Sequence, residues 1–193
     1  MGAGEEPAPS ILDCKPHLPV LDSPGLVRVE TATGLCTGAA IGPTSVLTAQ
    51  HCLDGSAKVT ELDGSEHTAV LAVVSQLHDI ALLKLVTPVS AYYPVAPEFP
   101  EDMHLALSLH GYGCDTEHEQ PYQRSAVLNW SKGPEGWIAG CVCFGDSGGP
   151  ALNENGELVG LMIRTYDEGQ FRGQYAVIIR VRHFLESLPS GLL

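Results

Sequence analysis

The sequence predicts an all-β protein built as two six-stranded antiparallel β-barrels with a short C-terminal helix. Three observations carry that expectation. The 193 residues are 44% hydrophobic and only 17% charged, with 21 Gly and 14 Pro. That mixture is rich in turn residues and poor in the Glu, Lys, Arg and Ala of helical bundles. Short runs of Val, Leu, Ile and Thr recur at close spacing, each bounded by Gly, Pro, Asp or Ser. The runs fall into two series of six, parted by a proline-rich stretch.

Taken in order, residues 1–24 are an N-terminal extension with several prolines and little periodicity. The first barrel spans 25–86, with strands over 26–30, 35–41, 45–49, 57–62, 67–74 and 80–85. Asp63-Gly64, after the fourth run, is a hairpin dipeptide that tolerates positive φ. Residues 87–103 hold Pro88, Pro94, Pro97 and Pro100 around the Tyr92-Tyr93 pair. Four prolines cannot sit inside a paired central strand, so this stretch reads as a linker lying across a surface. The second barrel spans 104–180, with strands over 105–110, 123–128, 137–139, 151–152, 158–163 and 174–179. Residues 181–193 are a C-terminal helix and tail. Val181, Phe184, Leu185 and Leu188 share one helical face, and Pro189 and Gly191 end it.

Charge and cysteines narrow the function. A formal net charge of -13 repels phosphate backbones, so nucleic acid is excluded as a partner. No stretch approaches the roughly 20 apolar residues of a membrane helix, and residues 1–10 lack the apolar core of a secretory signal. Six cysteines in a small β-rich chain favour an oxidising compartment. The expectation is a secreted or periplasmic monomer, with a cytoplasmic protein as the alternative. No His-Glu-x-x-His or Cys-x-x-Cys spacing points to a metal, and no cofactor is expected.

The strongest chemical signal is Gly145-Asp146-Ser147-Gly148-Gly149-Pro150. A serine hydroxyl is a poor nucleophile unless a base removes its proton, and the reaction needs backbone donors where the oxyanion develops. Glycines around Ser147 permit the angles that turn the N–H groups of Gly145 and Ser147 toward one point. Among eight histidines, His51 follows the strand-like Val46-Leu47-Thr48-Ala49-Gln50 and precedes Cys52. Asp79 opens the apolar run Ile80-Ala81-Leu82-Leu83-Lys84-Leu85, where a carboxylate is costly unless it accepts hydrogen bonds.

Three segments, Thr48-Ala49-Gln50-His51-Cys52, His78 to Leu85 and Cys143 to Pro150, together resemble the trypsin/chymotrypsin family of serine proteases. Gly111-Tyr112-Gly113 and Leu158-Val159-Gly160-Leu161 extend the likeness over most of residues 24–188. The order His, Asp, Ser sets this family apart from subtilisins and α/β-hydrolases. The resemblance implies a chymotrypsin-like double barrel that cleaves protein or peptide substrates. It implies His51, Asp79 and Ser147 as catalytic triad, Gly145 and Ser147 as oxyanion hole, and a Cys36–Cys52 disulfide closing the histidine loop. Ile163, Arg164 and Thr165 would lie beside the substrate. Cys141, Val142, Thr165 and Ala176, with Phe144 next to the serine, would form the specificity site.

The chain departs from the family at three places. Zymogen-type relatives pair the aspartate at Asp146 with a newly cut N-terminal amine at an Ile-Val-Gly-Gly stretch, which this sequence lacks. Asp146 therefore needs another partner, or processing is atypical. Cys14, Cys114, Cys141 and Cys143 allow three pairings. Cys14–Cys141 with Cys114–Cys143 would staple the oxyanion region in place of that ion pair, and four reduced cysteines are the alternative. Finally, the pocket floor is Cys141 where trypsin has a carboxylate, which implies a small or apolar P1 side chain, although Asp167 and Glu168 in the 166–173 loop could still receive a basic one. Glu61, Asp63 and Glu66 fall where the family can carry a calcium loop, and a solvated hairpin is the expected reading. Two other functions compete with an active peptidase. One is a protease fold kept as a binding module; a hint of weaker catalysis is Ile163, where the family often has a serine touching the triad aspartate. The other is a protease triggered by a partner.

Overall fold

The computed structural model describes residues 18–20, 22–32, 34–75, 78–97, 104–113, 120–133, 135–165 and 175–190. The first half forms β1 (Leu18–Pro19), β2 (Leu26–Thr31), β3 (Gly34–Gly42), β4 (Ser45–Thr48), β5 (Ala57–Glu61), β6 (Glu66–Val74) and β7 (Ala81–Leu85). Strands β2 to β7 close into an antiparallel barrel in the order β2-β3-β4-β7-β6-β5. The second half forms β8 (Leu105–Gly111), β9 (Tyr122–Lys132), β10 (Glu135–Ala139), β11 (Pro150–Leu152), β12 (Leu158–Thr165) and β13 (Tyr175–Arg180). It too closes, because β8 pairs with β9 on one side and β11 on the other. The expected all-β double barrel is therefore the observed one. The expected first-barrel strands agree with the observed ones to within one residue at each end.

Alternation explains why these runs pair as they do. In β5, Ala57 and Val59 face inward while Lys58 faces out. Inward residues of the first barrel, including Val27, Val29, Ala40, Val46, Val59 and Leu83, form its core. Leu109, Leu128, Ile138, Met162 and Ile178 do the same for the second. A third cluster joins Leu26, Leu47, Ile80 and Leu82 to Leu158, Leu161, Ile163 and Phe184, and so cements the two barrels together. The short helix α1 (Val181–Glu186) buries Val181 and Phe184 in that seam. Fully burying side chains of this kind is worth about 1.5–3 kcal/mol each, which makes the seam a rigid base for anything mounted across it.

Three details differ from expectation. In the second barrel β9 runs four residues past the expected 128, β10 starts two residues before 137 and β12 ends two residues after 163. Strand β1 is new: Leu18 and Pro19 pair with Gln123 and Tyr122 of β9. Two residues, one a proline, leave no alternation to read, and proline is tolerated only because this strand lies on an edge. The described part of the linker, 87–97, is stitched to both barrels. The N–H of Tyr93 donates to Ala40 C=O at 2.9 Å, that of Ala96 to Leu158 C=O at 3.0 Å, and that of Leu158 to Pro94 C=O at 2.8 Å. The prolines remove only their own donors and leave these residues able to pair.

Candidate active site

His51 sits on a single 3-10 turn, Gln50–Cys52, that follows β4. A Cys36–Cys52 disulfide, Cα atoms 6.2 Å apart, ties this turn to β3. Asp79 stands just before the fully buried Ile80, at the mouth of β7. Strand pairing of β4 with β7 therefore brings histidine and aspartate together. The Asp79 carboxylate grips His51 twice. Oδ1 accepts the His51 backbone N–H at 2.8 Å, and Oδ2 accepts from Nδ1 at 2.5 Å.

An ionised carboxylate can only accept, so the proton lies on Nδ1 and the Nε2 lone pair is free. The hydrogen bond to Asp79 raises the His51 pKa above the ordinary histidine value; partial burial opposes this and the Asp79 charge adds to it. Burial by itself would raise the Asp79 pKa, but the side-chain and backbone hydrogen bonds from His51 outweigh it and the net shift is downward.

Ser147 lies between β10 and β11, in a loop organised by its neighbour Asp146. Asp146 is completely buried. Arg124, on β9, holds its carboxylate with two bonds, Nη1 to Oδ2 at 2.5 Å and Nη2 to Oδ1 at 2.6 Å. The N–H groups of Gly113 and Cys143 add bonds of 2.8 and 2.7 Å. Gly111 and Gly113 leave room for this carboxylate: a Cβ on either would come within 2.7 Å of its Oδ1. That is the physical reason for glycine on both sides of Tyr112.

Sequence reasoning missed Arg124. The ion pair that the absent Ile-Val-Gly-Gly terminus would have supplied is instead made inside the chain, by an arginine 3% exposed. Beneath it, His110 bonds to Ser23 Oγ at 2.7 Å and Ser108 Oγ at 2.9 Å. Burial first, and the Arg124 charge second, push the His110 pKa down to about 4. His110 is thus neutral at ordinary pH and adds no second cation beside Arg124.

The loop itself is a run of turns. Gly145 and Gly148 have φ of +98° and +82°, which glycine adopts without strain. Asp146 N–H donates to Cys143 C=O at 3.1 Å, and Gly149 N–H to Asp146 C=O at 2.8 Å. Among the described residues, the N–H groups of Gly145 and Ser147 have no hydrogen-bond partner, and neither has Ser147 Oγ. Gly148 N–H donates to Met162 C=O at 2.7 Å, which sets the serine loop against β12.

The other residues singled out in the sequence are placed as follows. Phe144 is 88% exposed beside the serine loop. Arg164 is exposed on β12, with Nη2 3.4 Å from Glu135 Oε1. Ile163 is buried in the inter-barrel seam. Val142 and Ala176 pack together into the second-barrel core, and Ala176 offers no surface to solvent. Thr165 pairs with Ala176 through the backbone. Cys141 and Cys143 are disulfide-bonded. Their expected partners Cys14 and Cys114, the Thr165 side chain and the 166–173 loop with Asp167 and Glu168 lie outside the described residues. Sequence reasoning also missed a hollow of about 690 Å³ beside His51, whose wall joins Leu53, Leu71 and Val74 to the polar Gln50, Ser75, His78 and Asp79. Its only sequence signal is Leu71 and Val74 on strand positions of either parity.

Among the described residues one group, Cys36, His51 and Cys52, brings metal-binding atoms within 4.8 Å of one another, and its sulfurs are joined as the disulfide. In the acidic hairpin, Glu61 accepts from His67 Nε2 at 2.8 Å and from Ser90, Lys58 donates to Glu66 at 3.1 Å, and Asp63 accepts the Ser65 N–H at 2.8 Å. Among the described residues no helix is long and apolar enough to cross a membrane.

Comparison with known proteins agrees with this geometry. A trypsin family model matches residues 21–188. No curated protein sequence matches the chain. The structure is similar to the inactive form of the Rv3671c protease of M. tuberculosis, at 18% identity and TM-score 0.72, over 86% of this chain and 88% of that one. A Glu endopeptidase matches at 16% identity and TM-score 0.73, over 88% and 93% of the two chains. A serine endoprotease from Yersinia pestis matches at 17% identity and TM-score 0.73, over 85% of this chain but 61% of its own.

Proposed function

The chain belongs to the trypsin family of serine endopeptidases, and from that premise we propose that it hydrolyses peptide bonds with His51, Asp79 and Ser147 through an acyl-enzyme. The observation that carries the reading is the double grip of Asp79 on His51, which fixes the tautomer that leaves Nε2 free as a base. Ser147 Oγ attacks the scissile carbonyl as Nε2 takes its proton, and the resulting imidazolium is stabilised by Asp79. The unpartnered N–H groups of Gly145 and Ser147 receive the oxyanion. The imidazolium then returns the proton to the leaving amine, and water repeats the sequence on the ester. The part-buried serine hydroxyl has its bond to His51 still to make, as is common before substrate binds.

The test is labelling by a fluorophosphonate probe. Wild type is expected to label and Ser147→Ala not to. Absence of labelling in the wild-type chain under any condition would point to the binding module instead.

Substrate choice follows from the walls near the serine. No carboxylate among the described residues stands at Cys141 or Val142, so a small or apolar P1 side chain is the expected preference. The hollow lined by Leu53, Leu71 and Val74 would accept a further apolar side chain of the substrate. Unbiased peptide cleavage profiling reads this directly, and best substrates with Arg or Lys at P1 would overturn it. The disulfide and a family of proteases are consistent with an extracellular or periplasmic setting.

A further inference from the structure

We propose that Thr37 is a positioning residue for the oxyanion loop, acting through a side-chain hydrogen bond from the first barrel to the second. The inference rests on the serine-protease reading and adds a residue to it.

Thr37 follows Cys36 on β3 and is fully buried. All of its polar atoms are committed. Its N–H donates to Ser147 C=O at 2.9 Å. Its C=O accepts from Thr48 Oγ1 at 2.8 Å. Its own Oγ1 lies 2.6 Å from Gly145 C=O and 3.1 Å from the Tyr112 N–H. The direction of these last two bonds is fixed by chemistry. A backbone N–H can only donate, so the hydroxyl accepts from Tyr112, and its single proton goes to the Gly145 carbonyl.

The consequence is geometric. Thr37 holds the carbonyls of Gly145 and Ser147, the two residues whose N–H groups are left without partners. A peptide unit is planar, so fixing a carbonyl fixes the plane that carries the next residue and limits rotation of the preceding one. Gly145 most needs such restraint, because a glycine at φ +98° has no Cβ to limit its backbone. Thr48, which donates to Thr37, ends the strand leading to His51. One threonine thus links the histidine turn, the serine loop and, through Tyr112, the Gly-Tyr-Gly segment that surrounds Asp146. The packing there is tight: a Cβ on Gly148 would stand 2.3 Å from both Thr37 O and Thr48 Oγ1. Being β-branched, Thr37 also has restricted χ1 freedom, which holds the hydroxyl in place.

Thr37→Val keeps the shape and removes the hydroxyl; Thr37→Ser keeps the hydroxyl. Loss of one oxyanion donor costs about 10²–10³ in kcat, and misplacing one should cost less, about 10–100-fold. Rates are measured per active site, titrated with the fluorophosphonate probe, so unfolded chain does not enter. The valine variant is expected to lose that factor in kcat with KM within about threefold of wild type. Affinity for a peptide boronate, which mimics the tetrahedral adduct, should fall in parallel, and the serine variant should recover most of both. Thr37→Ala is read in the same way if the valine variant does not fold. Unchanged kcat in a folded hydroxyl-less variant, a fall confined to KM, or failure of serine to rescue a folded protein overturns the proposal. A wild type that neither labels nor cleaves would defeat the protease reading itself, a separate outcome.

Discussion

Asp79→Asn is expected to lower kcat by about 10⁴, the loss this triad suffers when its carboxylate becomes a carboxamide. The two bonds to His51 explain why. The carboxylate accepts from the backbone N–H at Oδ1 and from Nδ1–H at Oδ2, and an amide can offer an oxygen to only one of them. If its oxygen stays on the backbone N–H, its NH₂ faces Nδ1. The imidazole then relieves that clash by moving its proton to Nε2, the atom that should receive the serine proton. The histidine remains in place but is no longer a base toward Ser147. The pH profile supplies an independent sign. Asp79 raises the His51 pKa in the wild type, so activity there is lost as pH falls through a value above the ordinary one. Without the carboxylate charge, the acid limb of kcat/KM should move to lower pH. A loss under about tenfold, or an acid limb that stays put, would remove Asp79 from its role.

Much of this was legible in the sequence because the physics was local. Each strand shows its alternation within a few residues, and Gly, Pro and Asp mark the turns between. His51 and Asp79 could be read because each stands at the end of such a run. What escaped depended on pairing between distant segments. Strand β1 exists only because Tyr122 and Gln123 of β9 offer it an edge. Arg124 escaped because a charged residue in a strand is ordinarily read as facing water. Yet a signal was present. Arg124, Ala126 and Leu128 alternate with Gln123, Ser125 and Val127, and the first three are the buried set. An arginine in phase with the apolar face of a strand must find a carboxylate, since a buried charge without one is prohibitively costly. The sequence also held the matching acid without a partner, Asp146. Joining the two required only the question of which buried cation could answer it. Arg124 supplies the cation that Asp146 needs, and Cys141 and Cys143 are disulfide-bonded as well. Thr37 was hidden for a different reason: its hydroxyl acts across 108 positions of sequence, and nothing local distinguishes it from any other strand threonine.

Arg124→Met should therefore destabilise the protein and disable it together. Removing one partner of a buried ion pair leaves the other charge uncompensated, at a cost of about 3–5 kcal/mol, or roughly 6–20 °C in Tm for a chain of this size. With Asp146 0% exposed, the upper half of that range is expected. Catalysis should fall by at least about 100-fold in kcat, because the same carboxylate also fixes the N–H groups of Gly113 and Cys143 at the root of the oxyanion loop. Stability and catalysis can be told apart. The double variant Arg124→Met/Asp146→Leu removes both charges and replaces them with apolar groups, so much of the lost stability should return. Its activity should not return, since the loop has then lost the acceptor around which it turns. Denaturant melts give the first quantity and titrated kcat the second. A double variant as active as wild type would mean that the ion pair holds the fold alone and that the loop orders itself. Activity that stays low while stability recovers is what the geometry requires. It would make Arg124 the internal partner around which the Asp146 loop is ordered.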